Sequence, residues 1–151
     1  MRYYLPYRAA LSAEYRDYHD TWDVKASTFE IGYTHPLDNG WTFEGKIRSY
    51  TQTKADFYSD LFPRAGYQNF MARDKELSAF SSQSLRLSAS YDIVKGGWKF
   101  IDKGTLNVVL DHLMFNYDDF RDLRNIAVTP GTEPFYSFDA DVFQFFVSFW
   151  F

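Results

Sequence analysis

Polar and apolar residues alternate with period two along much of this chain, the pattern of strands with one apolar face. The clearest run is the last, from about Phe138 to Phe151, where Phe143, Phe145, Val147, Phe149 and Phe151 share a face. Ala9–Asp20 sets Leu11, Ala13 and Tyr15 against Ser12, Glu14 and Arg16. Ser27–His35 sets Phe29, Ile31 and Tyr33 against Thr28, Glu30, Gly32 and Thr34, and the turn signal Pro36-Leu37-Asp38-Asn39-Gly40 follows. Trp41–Gln52 then places Trp41, Phe43, Gly45 and Ile47 opposite Thr42, Glu44, Lys46, Arg48 and Tyr50. In Gln83–Ile93, Leu85, Leu87, Ala89 and Tyr91 oppose Ser84, Arg86, Ser88, Ser90 and Asp92. Thr105–Tyr117 changes parity: Leu106, Val108 and Leu110 share one, Leu113, Phe115 and Tyr117 the other. A bulge near Asp111-His112 is expected to reconcile the halves. The connections are long at 53–82 (with Pro63 and Gly66), Gly- and Lys-rich at 94–104, and acidic at 118–137, with Asp118, Asp119, Asp122 and the turn Pro130-Gly131.

Each run has about the 9–11 residues that a tilted strand needs to cross a bilayer. A soluble protein rarely ends on a long aromatic strand, whose edge invites aggregation, whereas a closed barrel in lipid has no edge and turns its apolar residues outward. Composition agrees: 21% of residues are aromatic, yet mean hydropathy is −0.41, so no stretch resembles a membrane helix. The expected fold is all-β, an antiparallel up-and-down transmembrane β-barrel, with residues 1–151 as one segment. About six strands are too few to close, since bacterial barrels start at eight. The remaining strands of a longer chain, or other copies, are expected to complete it. Met1-Arg2-Tyr3-Tyr4-Leu5-Pro6 has no apolar segment or cleavage site of a signal peptide, which favours the C-terminal part of a longer precursor. With Phe151 on the periplasmic side, the connections at 53–82 and 118–137 fall outside, where barrels carry their long loops. Tyr33, Trp41, Tyr91, Phe149 and Phe151 then form an outward aromatic girdle at the periplasmic interface.

A net charge of −4 leaves no basic patch for nucleic acid, and the absence of cysteine removes disulfides and thiolate chemistry. The polar face carries both signs. A register opposing Thr34 to Thr42 would set Glu30 against Lys46 and Thr28 against Arg48, with Arg16 beside Glu30 from the preceding hairpin. Arg16, Glu30, Lys46, Arg48 and Arg86 are therefore the candidate lumen charge cluster, either a structural ladder or a selectivity lining. In the first external loop Arg73, Asp74, Lys75 and Glu76 are candidates for ligand or partner contact, because loops carry much of a scaffold's function. His19, His35 and His112 are the only histidines. Asp17-Tyr18-His19-Asp20 and Asp118-Asp119 with Asp122 are candidate cation sites of no recognised ligand spacing. No catalytic residue, cofactor or metal is expected.

Phe145, Val147, Phe149 and Phe151 resemble the terminal signature by which Gram-negative outer-membrane proteins are recognised by their assembly machinery. Four further stretches are similar to a family of uncharacterised Gram-negative outer-membrane proteins catalogued as a domain of unknown function. They are Arg2-Tyr3-Tyr4-Leu5-Pro6, Tyr15-Arg16-Asp17-Tyr18 with Asp20-Thr21-Trp22, Ala55-Asp56-Phe57-Tyr58, and Ala72-Arg73-Asp74-Lys75-Glu76-Leu77-Ser78. The resemblance covers most of the chain, matches the C-terminal portion of longer members, and implies an outer-membrane barrel without an established activity. The expected role is a porin-like pore, a solute conduit or an envelope docking platform, with the lipid bilayer and the assembly machinery as partners. Its rivals are a soluble lipocalin-like barrel or β-sandwich with an apolar ligand inside, and an outer-membrane enzyme with a loop-borne site near His19.

Overall fold

The computed structural model describes residues 1–94, 97, 100–124, 129 and 131–151. Among these, seven strands form one sheet in sequence order: β1 (Arg2–Tyr4), β2 (Ala10–His19), β3 (Lys25–Pro36), β4 (Trp41–Gln52), β5 (Phe80–Val94), β6 (Lys103–Arg121) and β7 (Phe135–Trp150). Every neighbouring pair is antiparallel. No helix among the described residues is long and apolar enough to cross a membrane. The sheet is open, with β1 and β7 as its edges. Parts of the expected 94–104 connection and of the Pro130-Gly131 turn lie outside the described residues.

The alternating runs become strands with the expected faces, but three details differ. β1 was not anticipated, because three residues are too few to show a period; it pairs Arg2 with Ser12 and Tyr4 with Ala10. The β3–β4 register is tighter by two residues than expected, setting Pro36 opposite Thr42, Thr34 opposite Glu44 and Glu30 opposite Arg48. The cause is a four-residue turn in which Leu37 N–H donates to the Trp41 carbonyl at 2.7 Å and Gly40 takes a φ of 92° that suits glycine. Finally, the bulge near Asp111-His112 is absent: β5 and β6 pair without interruption from Asp92–Thr105 to Phe80–Tyr117. The irregularities lie at Asp92/Val94 and at Asn116/Arg121 instead.

The parity change in β6 therefore has another origin. Leu106, Val108 and Leu110 lie on the apolar face, opposite Tyr91, Ala89 and Leu87. Leu113, Phe115 and Tyr117 lie on the polar face, which turns aromatic towards one end of the sheet. There Phe80 packs at 5.2 Å from Tyr117 and 5.5 Å from Tyr50, and Phe115 stacks on Phe138 at 4.7 Å. A continuous strand thus changes which of its faces is apolar without breaking register.

The apolar face is bare. Ile47, Leu87 and Phe143 are 63%, 50% and 66% exposed, and among the described residues the buried apolar cluster is a few residues at the end of the sheet where the 53–79 connection folds over. Gly32 marks the tightest crossing of the polar face, where a Cβ would lie 2.5 Å from Ser12 Oγ and 3.2 Å from Lys46 Cγ. At Gly45 the added Cβ would meet only Leu87, at 3.6 Å. Gly32→Val is therefore expected to lower unfolding free energy by about 1–3 kcal/mol through overpacking, whereas Gly45→Ala stays within about 0.5 kcal/mol of the parent. Urea unfolding of both variants in detergent, followed by tryptophan fluorescence, checks this; equal effects would contradict the packing argument.

Candidate functional site: the polar face and its cap

Strand register sorts the polar face into rows. One reads Ser12, Gly32, Lys46, Arg86, Asp111 and Val142; the next reads Glu14, Glu30, Arg48, Ser84, Leu113 and Ala140. A third begins Arg16, Thr28, Tyr50. Arg16, Glu30, Lys46, Arg48 and Arg86 thus all occupy the polar face, spread over three rows. The expected neighbours Arg16, Glu30 and Lys46 are not directly opposed: Glu14, not Arg16, opposes Glu30, and Lys46 opposes Gly32, one pleat from Glu30.

Their ion pairs follow this placement. Arg86 grips Asp111 with two bonds, Nε to Oδ1 at 2.6 Å and Nη2 to Oδ2 at 3.0 Å, and Asp111 is buried. Lys46 Nζ reaches Glu44 at 3.1 Å, and Glu44 also accepts a bond from Thr34. Arg16 reaches Glu14 at 3.2 Å. Arg48 extends over the Tyr50 ring, 5.6 Å from its centre. A cavity of about 340 Å³ is lined by Glu30, Lys46, Arg48, Arg86, Asp111 and Gln144 together with the apolar Leu113 and Val142. Three cations facing two carboxylates, with Glu44 beside Lys46, make a lining of nearly balanced charge.

At the aromatic end, the 53–79 connection is a built cap. Asp60, 7% exposed, sits between two guanidinium groups: Arg73 Nη2 lies 2.9 Å from Oδ1 and Arg121 Nη1 lies 2.9 Å from Oδ2. Arg73 also donates to the Asp60 and Arg121 carbonyls and lies 4.6 Å over the Phe120 ring. Tyr58 donates to the Asp119 carbonyl, Ala79 N–H donates to the Asp119 carboxylate, and the Gln52 amide donates to the Glu76 and Ser78 carbonyls. Val24, Ala55 and Tyr58 form a small core with Phe57, Leu77 and Phe120. Burial pushes the Tyr58 hydroxyl well above its ordinary pKa, with Asp119 and Asp60 adding to the effect. The phenol therefore stays neutral at physiological pH and can donate to the Asp119 carbonyl.

The loop candidates divide accordingly. Arg73 is committed to Asp60 and Phe120. Lys75 pairs with Glu76 at 3.3 Å and lies 5.8 Å over the Phe138 ring, while the exposed Asp74 precedes the 3-10 turn Lys75–Leu77. The candidate cation sites do not assemble: among the described residues no three His, Asp or Glu side chains converge. His19 faces Asp23 at 3.5 Å, and Arg124 binds the Asp122 carboxylate at 2.7 Å and holds it at a pKa of about 2. His35 accepts or donates a bond with Tyr33 at 3.0 Å, and His112 bonds Asp141 at 2.7 Å. Sequence reasoning missed Asp60 and Arg121, which carry no local signal. The aromatic cluster did have one, in the β6 parity change and in the aromatics around Phe57.

Residues 1–114 match a family described as protein of unknown function (DUF3570). The chain belongs to that family. The match spans β1 to β5, the cap and the first part of β6, so Asp60, Arg73, Arg86 and Asp111 all lie inside it. Comparison with curated proteins and with solved structures gives no match.

Asp60→Asn leaves two guanidinium groups without their shared anion. It is expected to weaken cap closure by about 2–4 kcal/mol, below the full cost of breaking a buried pair because both arginines keep some water. Limited proteolysis should then cut within residues 53–79 far faster than in the parent. Arg8→Ala, which removes the exposed pair with Asp38 at the opposite end, should leave the digestion pattern unchanged.

Proposed function

We propose that this chain forms part of the wall of an outer-membrane β-barrel, with the bare apolar face against lipid and the charged face lining an interior capped on its outer side. The observation that supports this most is the slant of the apolar band. On β2 and β3 the outward apolar residues are Leu11, Ala13 and Tyr15, and Phe29, Ile31 and Tyr33. In hydrogen-bonded register, Leu11 and Tyr33 share a row with Gly45, Leu87, Leu110 and Phe143. On β2 and β3 the band rises from that row towards the cap. On β4 and β5 it extends one pleat above, to Ile47 and Leu85, and two below, to Trp41 and Tyr91. On β6 and β7 it starts at Leu110 and Phe143 and descends through Leu106 and Phe149.

The upper limit thus drops two pleats between β2 and β7, and the lower limit three or more. At about 3.3 Å per residue and about 4.8 Å between strands, this is a shift of roughly 13–26 Å over about 24 Å, a strand tilt of roughly 30–45°. A level slab of lipid crossed by tilted barrel strands has this signature, and barrel strands tilt by about 35–45°. A soluble sheet has no reason to cut its apolar band obliquely across its rows. The rim above the band is mostly polar: the outward row of Phe29 continues through Ser49, Gln83, Met114 and Asp139. The lower limit carries Trp41 and Tyr91, whose rings lie 4.9 Å apart, as an interfacial belt requires.

The cap also argues against the lipocalin-like arrangement. A soluble barrel holding an apolar ligand covers its apolar face, whereas here residues 53–79 fold over the aromatic end of the polar face. Within the barrel reading, the paired lining suits passage of small polar solutes with little preference for charge, because each fixed charge has an opposite neighbour. The exposed Leu61, Tyr67, Phe70 and Met71 of the cap favour a second role, docking of an envelope partner on the outer surface.

Leu87→Lys and Ser88→Lys separate the two faces at adjacent positions. The first puts a charge into lipid and is expected to cost about 2–4 kcal/mol near the bilayer midplane, with a matching fall in folded protein recovered from the outer-membrane fraction. The second adds a charge to the polar face and should leave recovery close to the parent. Protein recovered without detergent, with both variants behaving alike, would refute the membrane reading.

A further inference from the structure

The charges of the polar face do not all neutralise one another by contact. Of the five in the candidate cluster, Arg16, Lys46 and Arg86 are held by Glu14, Glu44 and Asp111. The other two, Glu30 and Arg48, stand directly opposite each other across the β3–β4 ladder. Opposed residues have Cβ atoms only about 4.5–5.5 Å apart, yet among the described residues neither side chain forms an ion pair or a hydrogen bond. Arg48 lies instead along its own strand, over the Tyr50 ring. One acid and one base are thus left facing the same space.

That space is the cavity of about 340 Å³. Ser84, which opposes Arg48 from β5, adds a hydroxyl without a hydrogen-bond partner among the described residues. The far wall is apolar, formed by Leu113, next after Ser84 in the row, and by Val142. The row Glu30, Arg48, Ser84, Leu113 therefore passes from acid to base to hydroxyl to hydrocarbon within three strand spacings, about 14 Å between backbones. These residues limit what fills the cavity. A simple anion satisfies Arg48 but is repelled by Glu30, a simple cation does the reverse, and an uncharged solute leaves both without a counter-charge. A solute carrying both charges answers both. The volume lies at the small end of the range of about 300–1,000 Å³ typical of ligand pockets, which suits a single amino acid better than a peptide.

We propose, resting on the reading of this face as a barrel interior, that the cavity binds a zwitterionic solute of the apolar amino-acid class. Its carboxylate accepts from the Arg48 guanidinium and the Ser84 hydroxyl, and its ammonium donates to Glu30. Its side chain extends the other way along the row, over Ser84 to Leu113 and Val142. The order of groups in the row matches the three substituents of one α-carbon placed above Arg48.

The test uses the 151-residue chain refolded in detergent micelles, with isotope-labelled L-leucine as the probe and equilibrium dialysis as the readout. Two analogues each lack one charge: isoamylamine has no carboxylate and isocaproate has no ammonium. Leucine should bind about tenfold or more tighter than either, because each analogue gives up a charge-assisted hydrogen bond. In Glu30→Gln the preference for leucine over isocaproate should vanish while that over isoamylamine stays, and Arg48→Gln should do the converse. Arg16→Gln, whose charge pairs with Glu14 and lies outside the cavity, should leave leucine binding unchanged. The analogues act on the parent chain, so they decide the matter even where a variant fails to fold. Equal binding of the three compounds, or a folded chain that takes up no leucine, would overturn the proposal. So would a preference over isocaproate that survives Glu30→Gln. The membrane reading fails differently, as a chain that folds and stays soluble without detergent, and solubility separates that outcome from failure of the site.

Discussion

Register is the constraint on which everything else in this molecule depends. Side chains alternate across a strand with a period of two, so a slip of one residue in any ladder would move charges onto the apolar face and aromatics onto the polar one. Five consecutive ladders hold the same assignment of faces from Leu11 to Phe143. They are pinned at one end by the short turn between Pro36 and Trp41. At the other end Asp60 binds Arg73 in the cap and Arg121 at the end of β6, tying the cap to the strand that carries the longest run of pairs. The slant of the apolar band, the balance of the charged face and the seat of the cap all follow from those registers.

The strands and their faces were legible because alternation is a local signal that survives any tertiary context keeping the strand half-buried. Trp41–Gln52 is an instance: both its bounds and its outward residues could be read directly. What was not legible depended on geometry between strands. Whether Glu30 opposes Lys46 or Arg48 turns on how many residues the Pro36–Gly40 connection leaves unpaired, and composition does not reveal that number. The three residues of β1 were invisible for lack of a period. Asp60 was invisible for a different reason: a single acid in a loop acquires meaning only when two arginines, one of them 61 positions away, fold onto it.

The β6 parity change shows how a correct observation leads to a wrong inference. Alternation that switches phase has two physical explanations, an inserted residue or an exchange of which face is apolar. The first is the usual one for a strand with a single environment along its length. β6 passes through two. Near Leu106–Leu110 its outward side belongs to the bare apolar band. Beyond Asp111 its other side joins Phe80, Tyr50 and Phe138 under the cap, while the outward side becomes mixed, with His112, Met114 and Asn116. The pair of Arg86 with the buried Asp111 sits at the boundary and needs the unbroken register, because a bulge there would move Asp111 out of reach of Arg86.

That pair also bears on what the polar face does. Its carboxylate is buried while its guanidinium is about half exposed, so desolvation of the acid offsets part of the attraction, and the doubly bonded geometry specifies one arrangement over others. On this face the three pairs Arg86–Asp111, Lys46–Glu44 and Arg16–Glu14 also cancel one another's field within a few ångströms. On the proposed reading an interior lined this way admits solutes by size and polarity, and discrimination by size moves to the place where passage is physically narrowed. On that reading the place is the cap, held by the buried Asp60 carboxylate together with the bonds of Tyr58 and Ala79 to Asp119 and of Gln52 to Glu76 and Ser78. Selection by size is therefore sought at residues 53–79 and their Asp60 anchor, where sequence, packing and electrostatics converge, and not along the neutralised wall.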